Sequence, residues 1–97
     1  MQNSSKIKSY LGFARRAGKL TLGVNAAMTV KNCYLLIADE SISPNSRKEI
    51  EKLKNRLACP LVFCEGLEEL VARSGCKLAA VREEHLADAL LLELGGK

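Results

Sequence analysis

The chain has 97 residues, 47% of them hydrophobic, and its 15 basic and 11 acidic side chains give a net charge of +4. This length predicts a single domain over residues 1–97, and the composition is that of a globular protein, with no low-complexity tract to indicate disorder. No apolar run approaches the roughly 20 residues of a membrane span, and residues 1–5 lack the apolar stretch of a signal peptide, so we expect a cytoplasmic protein with no membrane partner.

Helical and strand patterns alternate along the first half of the chain. Ser4 or Ser5 can cap a first helix that ends at Gly18, and residues 19–22 form a short strand. A short helix is predicted over residues 24–30, and the continuous apolar run 33–38 predicts a central strand covered on both faces. The apolar stripe of the first helix is Ile7, Tyr10, Leu11 and Ala14.

The second half continues the alternation. Ser43 followed by Pro44 predicts the start of a third helix, which Pro60 ends, and residues 61–64 and 77–81 are predicted strands. A fourth helix between these strands stops near Gly75, and a fifth runs to Gly95-Gly96. Five helices alternating with four strands predict a three-layer α/β/α sandwich. The residues predicted to face inward are Ile50, Leu53 and Leu57, then Leu67, Leu70 and Val71, then Leu86, Ala89, Leu90 and Leu94.

The charge is polarised along the chain. Residues 1–38 contain six basic side chains and no acidic one, whereas the other 59 residues contain nine basic and eleven acidic ones. A basic region without acidic neighbours attracts polyanions, and phosphate backbones are the commonest of these, so nucleic acid is the leading expected partner. A solvated helix face is the alternative interpretation. The six basic residues are Lys6, Lys8, Arg15, Arg16, Lys19 and Lys31.

Two features place this charge near a candidate binding corner. Lys8, Gly12, Arg15 or Arg16, and Lys19 recur at helical spacing on a face different from the apolar stripe. The helix leads to Gly23-Val24-Asn25, where a glycine between strand and helix allows a ligand to approach the backbone closely. The start of the following helix favours anions, and Asn25 can either contact a base edge or cap that helix.

Other chemistry finds little support in the residues. The four cysteines, Cys33, Cys59, Cys64 and Cys76, are too widely spaced for a zinc site, so we expect reduced structural thiols, no metal and no cofactor. Asp39 and Glu40 follow the central strand, where α/β enzymes place catalytic groups, but a polar loop that helps to begin the third helix is the favoured interpretation. We therefore expect no enzymatic activity.

The stretch Leu11-Gly12-Phe13-Ala14-Arg15-Arg16-Ala17-Gly18-Lys19-Leu20-Thr21-Leu22-Gly23, followed by Leu35-Leu36-Ile37-Ala38-Asp39-Glu40, resembles the kink-turn RNA-binding ribosomal protein family (L-seven-Ae / L-thirty-e type). The resemblance covers about residues 6–94 and is closest to the small bacterial members. It implies a mixed four-stranded sheet and a partner that is structured RNA, either ribosomal or another kink-turn RNA, bound at the corner between the first strand and the second helix.

The resemblance also implies which residues contact RNA. Gly23 and Asn25 match the family's corner, whereas Ala26 stands where the family has Glu and Thr29 where it has Lys, with Lys31 as a partial replacement. The second family contact is a loop before the last strand, here residues 74–77. Two hypotheses follow: a non-catalytic RNA-binding protein, or an interaction module that kept the fold and lost kink-turn recognition. The candidate RNA-binding residues are Arg15, Arg16, Lys19, Gly23, Val24, Asn25, Lys31, Glu40, Cys76 and Lys77.

Overall fold

The structure is a computed structural model that describes residues 4–95. Five helices alternate with four strands, as the sequence predicts, and α1 and α3 are the longest elements. The elements are α1 (Ser4–Arg16), β1 (Leu20–Leu22), α2 (Val24–Ala27), β2 (Leu35–Asp39), α3 (Pro44–Leu57), β3 (Leu61–Cys64), α4 (Leu67–Leu70), β4 (Leu78–Val81) and α5 (Glu84–Glu93).

The four strands form one mixed sheet in the order β1-β4-β2-β3. β2 pairs in parallel with β3, and β4 pairs antiparallel with both β1 and β2. Alternate residues of β2 enter two separate cores: Leu35 and Ile37 pack with α1, α4 and α5, and Leu36 and Ala38 pack with α2 and α3. The predicted three-layer α/β/α sandwich and its four-stranded mixed sheet are confirmed.

Gly18 and Ser43 have the predicted effect at helix ends. Gly18 has a φ of +69° and ends α1, where the Lys19 N–H donates to the Ala14 carbonyl at 2.8 Å and the Gly18 N–H to the Arg15 carbonyl at 3.1 Å. This pair of bonds is a Schellman motif. At the start of α3 the Ser43 hydroxyl accepts from the Ser46 N–H at 3.2 Å. The C-terminal end of α1 and the N-terminal end of α3 are thereby capped.

Several predicted boundaries are wrong by a few residues. β2 begins at Leu35 rather than Cys33, whose thiol instead donates to the Leu35 carbonyl at 3.2 Å. α3 ends at the left-handed Ala58, two residues before Pro60. In α5, Ala87 is buried rather than the predicted Ala89. Ala87 shares one face of the helix with the buried residues Leu90 and Leu94, three and seven positions further on.

The largest difference concerns α2, which is a single turn instead of the predicted seven residues. The Thr29 hydroxyl donates to the Ala26 carbonyl at 2.9 Å, and the Val30 N–H bonds the Ala27 carbonyl in a tighter i to i−3 pattern. Arg56 from α3 donates to the Met28 carbonyl at 2.9 Å and fixes the end of this turn. Within residues 4–95, no helix is both long and apolar enough to cross a membrane.

Candidate nucleic-acid interface

The corner between β1 and α2 has the geometry of a site that a ligand can approach closely. Gly23 has φ +95° and ψ 148°, a combination that other residues rarely adopt, and a Cβ added there would meet nothing within 4 Å. Asn25 is exposed, and no side chain caps α2 by a hydrogen bond. The capping interpretation of Asn25 is therefore wrong, and its amide remains available to a partner.

A groove lies between this corner and the first turns of α3. Its volume is about 520 Å³, and its polar groups are two amides, one hydroxyl and one carboxylate. These groups can pair with base edges, but the groove has no lysine or arginine in its lining. We call it the corner groove; it is lined by Val24, Asn25, Met28, Asn45, Ser46 and Glu49.

A second cavity, which we call the notch, lies at the opposite end of α2, beside β1 and β4. It measures about 350 Å³ and contains two cationic side chains and no carboxylate. Lys19 is close to it, because the Arg82 N–H donates to the Lys19 carbonyl at 2.8 Å and extends the pairing of β1 with β4. The notch is lined by Thr21, Ala26, Thr29, Val30, Lys31, Asn32 and Arg82.

Lys31 occupies a different place from the predicted one. It lies in the loop before β2, four residues beyond the end of α2, and is exposed. The fold brings it into the same cavity as Arg82, with Lys19 opposite Arg82 on the neighbouring strand. Strand pairing and the loop before β2, rather than one helix, thus bring positions 19, 31 and 82 together.

The predicted basic face of α1 is only partly free. Arg15 donates from Nη1 to the Val71 carbonyl at 3.1 Å and ties α1 to the end of α4. Arg16 lies over the ring of Phe13, 5.1 Å from its centroid, and that ring is 50% exposed. Lys8, Gly12 and Arg15 do share one face, where they border a groove of about 280 Å³ whose apolar lining includes Leu11 and Leu70.

One acidic residue from the far end of the chain reaches this basic region. Glu93 of α5 pairs with Lys6 across 3.8 Å, so the first 38 residues are not wholly without acidic neighbours in space. Lys8, Lys19 and Lys31 are exposed and form no ion pair with any residue between 4 and 95. In residues 4–38, Arg15 and Arg16 are also exposed and form no ion pair with the described residues.

Asp39 is buried and acts as a structural junction. Its Oδ1 accepts from the Leu67 N–H and its Oδ2 from the Ser41 N–H, both at 2.9 Å, and Oδ2 also accepts from the Ser41 hydroxyl. The Ser41 hydroxyl contributes most to lowering the pKa of Asp39 to about 2, and the two backbone N–H groups and Lys77 support it. Asp39 thus binds Ser41 in the polar loop that precedes α3, as predicted, and it also binds the first N–H of α4, which the sequence did not predict.

The remaining predicted contacts lie around this junction. Lys77 donates to the Ser41 hydroxyl at 2.7 Å and lies 3.9 Å from Asp39 Oδ2. Cys76 is only 5% exposed, and its thiol donates to the Leu78 carbonyl at 3.3 Å, so its side chain is closed to a ligand in this conformation. Glu40 is exposed beside Arg47 and Phe63.

All four cysteine thiols are free and buried. Burial raises the pKa of Cys64 to about 12. The fold places Cys33 beside Cys59, a pair that the sequence does not suggest, and the pKa of Cys59 is raised by the Cys33 thiol and by burial. Between residues 4 and 95, no three His, Cys, Asp or Glu side chains are grouped so that they could hold a metal ion.

Comparison with known proteins supports the fold without naming an activity. No protein-family model matches the chain, and no curated protein matches it. The chain is similar to a solved structure of a protein with unknown function from Bacillus halodurans C, with 18% sequence identity and a TM-score of 0.76. The likeness covers 93% of this chain and 97% of that chain. At this identity it shows the α/β fold alone.

Sequence reasoning missed Arg82, the residue that completes the notch. Arg82 precedes Glu83 and Glu84 in the chain, so it belongs to the part whose charges nearly cancel. Its position becomes informative only when the pairing of Leu20 with Val81 is known, because that pairing places residue 82 opposite Lys19. The antiparallel contact between β1 and β4 was the missing signal.

Proposed function

We propose that this protein is a small, non-catalytic, cytoplasmic RNA-binding protein that associates with ribosomal or other structured RNA. The observation that carries the proposal is the surface around α2. On one side of this turn lies a groove whose hydrogen-bonding groups are two amides, one hydroxyl and one carboxylate, and on the other lies a notch with two cations. RNA recognition requires both kinds of group, because phosphate contacts position the protein and base contacts supply selectivity.

The uncompensated charge supports the same proposal. Lys8, Lys19 and Lys31 are exposed and form no ion pair within residues 4–95. Among the described residues up to position 38, the basic residue that does form an ion pair is Lys6, which binds Glu93. Exposed cations without acidic partners attract a phosphate backbone over a distance of about one Debye length, roughly 8–10 Å at physiological salt. The resemblance to the kink-turn family points to the same corner of the fold.

We propose that the protein is not an enzyme because Asp39, the carboxylate best placed for catalysis, is already hydrogen-bonded and ionised. Asp39 stands at the end of a central strand, but Ser41, Leu67 and Lys77 already occupy its oxygens. A carboxylate held ionised by these partners is a poor general base. The cytoplasmic location is supported by four free, buried thiols, which suit a reducing compartment.

Binding measurements on two RNAs test the proposal. One is a kink-turn RNA and the other is the same RNA with its G·A pairs disrupted. Asn25→Ala should lower affinity for the intact RNA by roughly tenfold, since one base contact contributes about 1–3 kcal/mol, and should leave the salt dependence unchanged. Lys19→Ala should weaken binding to both RNAs alike, because a phosphate contact carries no sequence information.

Lys52→Ala is the matched control for Lys19→Ala. Lys52 is an exposed lysine on α3, and its removal changes the net charge by the same amount. Crosslinking in cells followed by sequencing should recover a limited set of structured RNAs with the wild-type protein. Failure to recover any RNA, together with equal behaviour of Lys19→Ala and Lys52→Ala, would exclude the proposal.

One observation favours the second candidate, a protein-interaction module that kept the fold and lost kink-turn recognition. The groove between α1 and α4 has an apolar floor that includes Leu11, Leu20 and Leu70, with Lys8 and Arg15 at its border. Such a groove suits an apolar segment of another protein. This candidate gains support if purified protein binds neither RNA and if Ala26 and Thr29 account for the lost contacts.

A further inference from the structure

The notch lies beside the end of α2. α2 stops at Ala27, and four residues of the loop 28–32 that follows it line the notch. Thr21 on β1 and Arg82 just after β4 therefore face the loop that carries Lys31 and Asn32 across a cavity of about 350 Å³. The notch is open to solvent, so a group that remains attached to a larger molecule can enter it.

Arg82 is held in this position with donors to spare. Its Nη2 donates to the Gly18 carbonyl at 2.6 Å, and its backbone N–H is used in the pairing with β1. Within residues 4–95, Arg82 forms no ion pair, and its Nε is buried without a hydrogen-bond partner. A guanidinium has five N–H donors; the buried Nε–H is out of reach of a ligand, and the Nη N–H groups that do not bind Gly18 remain to bind an anion.

The other groups of the notch also select for an anion. Lys31 brings a second positive charge, and the Thr21 hydroxyl and Asn32 amide can donate hydrogen bonds. The Thr29 hydroxyl is already committed to the Ala26 carbonyl and cannot supply its proton. Ala26 lines the same cavity, and its methyl group brings no charge, so no carboxylate in the lining neutralises the two cations.

We propose that the notch binds a phosphate group, with Arg82 and Lys31 supplying charge and Thr21 and Asn32 supplying hydrogen bonds. The phosphate is one of an RNA backbone, and in this respect the inference rests on the proposed function. Binding of a free phosphate ion by the same groups does not depend on RNA. Arg82 thereby becomes a phosphate-binding residue outside the basic N-terminal third of the sequence.

The first test uses inorganic phosphate alone with the full chain. Amide resonances of Thr21, Asn32 and Arg82 should shift saturably when phosphate is added, and should not shift when chloride is added at the same ionic strength. Lys31→Ala should lose most of the response. Lys52→Ala, which removes an exposed lysine on α3, should keep it. The phosphate site would be overturned if phosphate shifted the amide resonances of lysines throughout the chain, or if the shifts persisted unchanged in Lys31→Ala.

Substitution of Ala26 tests the electrostatic reasoning without touching the donors. Ala26 is exposed on α2, so both Glu and Gln fit there without disturbing a core. Ala26→Glu places a carboxylate in the notch and should weaken phosphate binding several-fold more than Ala26→Gln, which has nearly the same size and no charge. Equal behaviour of the two variants would contradict the proposal.

The second test uses RNA and separates this inference from the proposed function. Lys31→Ala and Arg82→Ala should each reduce the slope of log affinity against log salt by about one, with folding checked by thermal unfolding because Arg82 also binds Gly18. Unchanged slopes with normal RNA binding would refute the notch and leave the RNA proposal standing. If the notch binds phosphate but the protein shows no salt-dependent RNA binding, the phosphate site is supported and the RNA proposal is refuted.

Discussion

Removing the charge of Asp39 should destabilise the protein in a pH-dependent way. Asp39 is 7% exposed and accepts from two backbone N–H groups at 2.9 Å, and its pKa falls from an ordinary 3.8 to about 2. Because one pKa unit corresponds to about 1.4 kcal/mol, the ionised carboxylate stabilises the fold by about 2 kcal/mol at neutral pH. Asp39→Asn should lower the free energy of unfolding by about that amount at pH 7.

The sign of the pH dependence follows from the lowered pKa. The stabilisation is fully present above the unfolded-state pKa of about 3.8 and is lost as pH falls through the folded-state pKa of about 2. About half of it should remain at pH 3. The gap between the wild type and Asp39→Asn should therefore narrow by roughly 1 kcal/mol between pH 7 and pH 3.

Urea denaturation at these two pH values, followed by circular dichroism, measures the difference. Glu40→Gln is the matched control: Glu40 is the exposed carboxylate next in the chain, so its substitution should change the unfolding free energy by less than about 0.5 kcal/mol. The reasoning is refuted if Asp39→Asn costs no more than Glu40→Gln at pH 7, or if its cost is the same at pH 3.

Three further expectations concern stability and titration. Gly12→Ala should stabilise α1 by about 0.5–1 kcal/mol in thermal unfolding, because Gly12 is inside a helix and an added Cβ meets nothing within 4 Å; a loss of stability would contradict this. All four thiols should resist an aromatic disulfide reagent in the native state and react only on unfolding, since all are buried; rapid labelling of one native thiol would contradict it. The Glu83 carboxylate raises the pKa of His85, so Glu83→Gln should lower that pKa in an NMR titration, and an unchanged value would show that the pair does not form in solution.

The fold was largely predictable because its signals are local and strong. The apolar run that contains Leu36 and Ile37 could only be a strand covered on both sides, and Ser43-Pro44 marks the start of α3 to the residue. The length of α2 was not predictable from periodicity. The Thr29 hydroxyl and the guanidinium of Arg56 end that helix, and the second of these contacts joins residues 28 positions apart.

The candidate site was only half predictable for a related reason. Gly23 and Asn25 are only two positions apart in sequence, and the basic first third is visible in composition. The notch, in contrast, depends on strand pairing that brings Arg82 to Lys19 and on a loop that returns Lys31 to the same cavity. The burial of Cys76 likewise depends on packing against the sheet, so its side chain could not be assigned to the core from the short loop around it.

The central claim is that the uncompensated cations of this fold bind the phosphate backbone of structured RNA. The most direct measurement is the affinity of the full chain for a kink-turn RNA at a series of potassium chloride concentrations. The account predicts that log affinity falls linearly with log salt, with a slope of about −0.7 to −0.9 for each phosphate neutralised. Contacts from Lys19, Lys31 and Arg82 therefore predict a slope of about −2 or steeper. Binding with a slope near zero, or no binding at low salt, would contradict it.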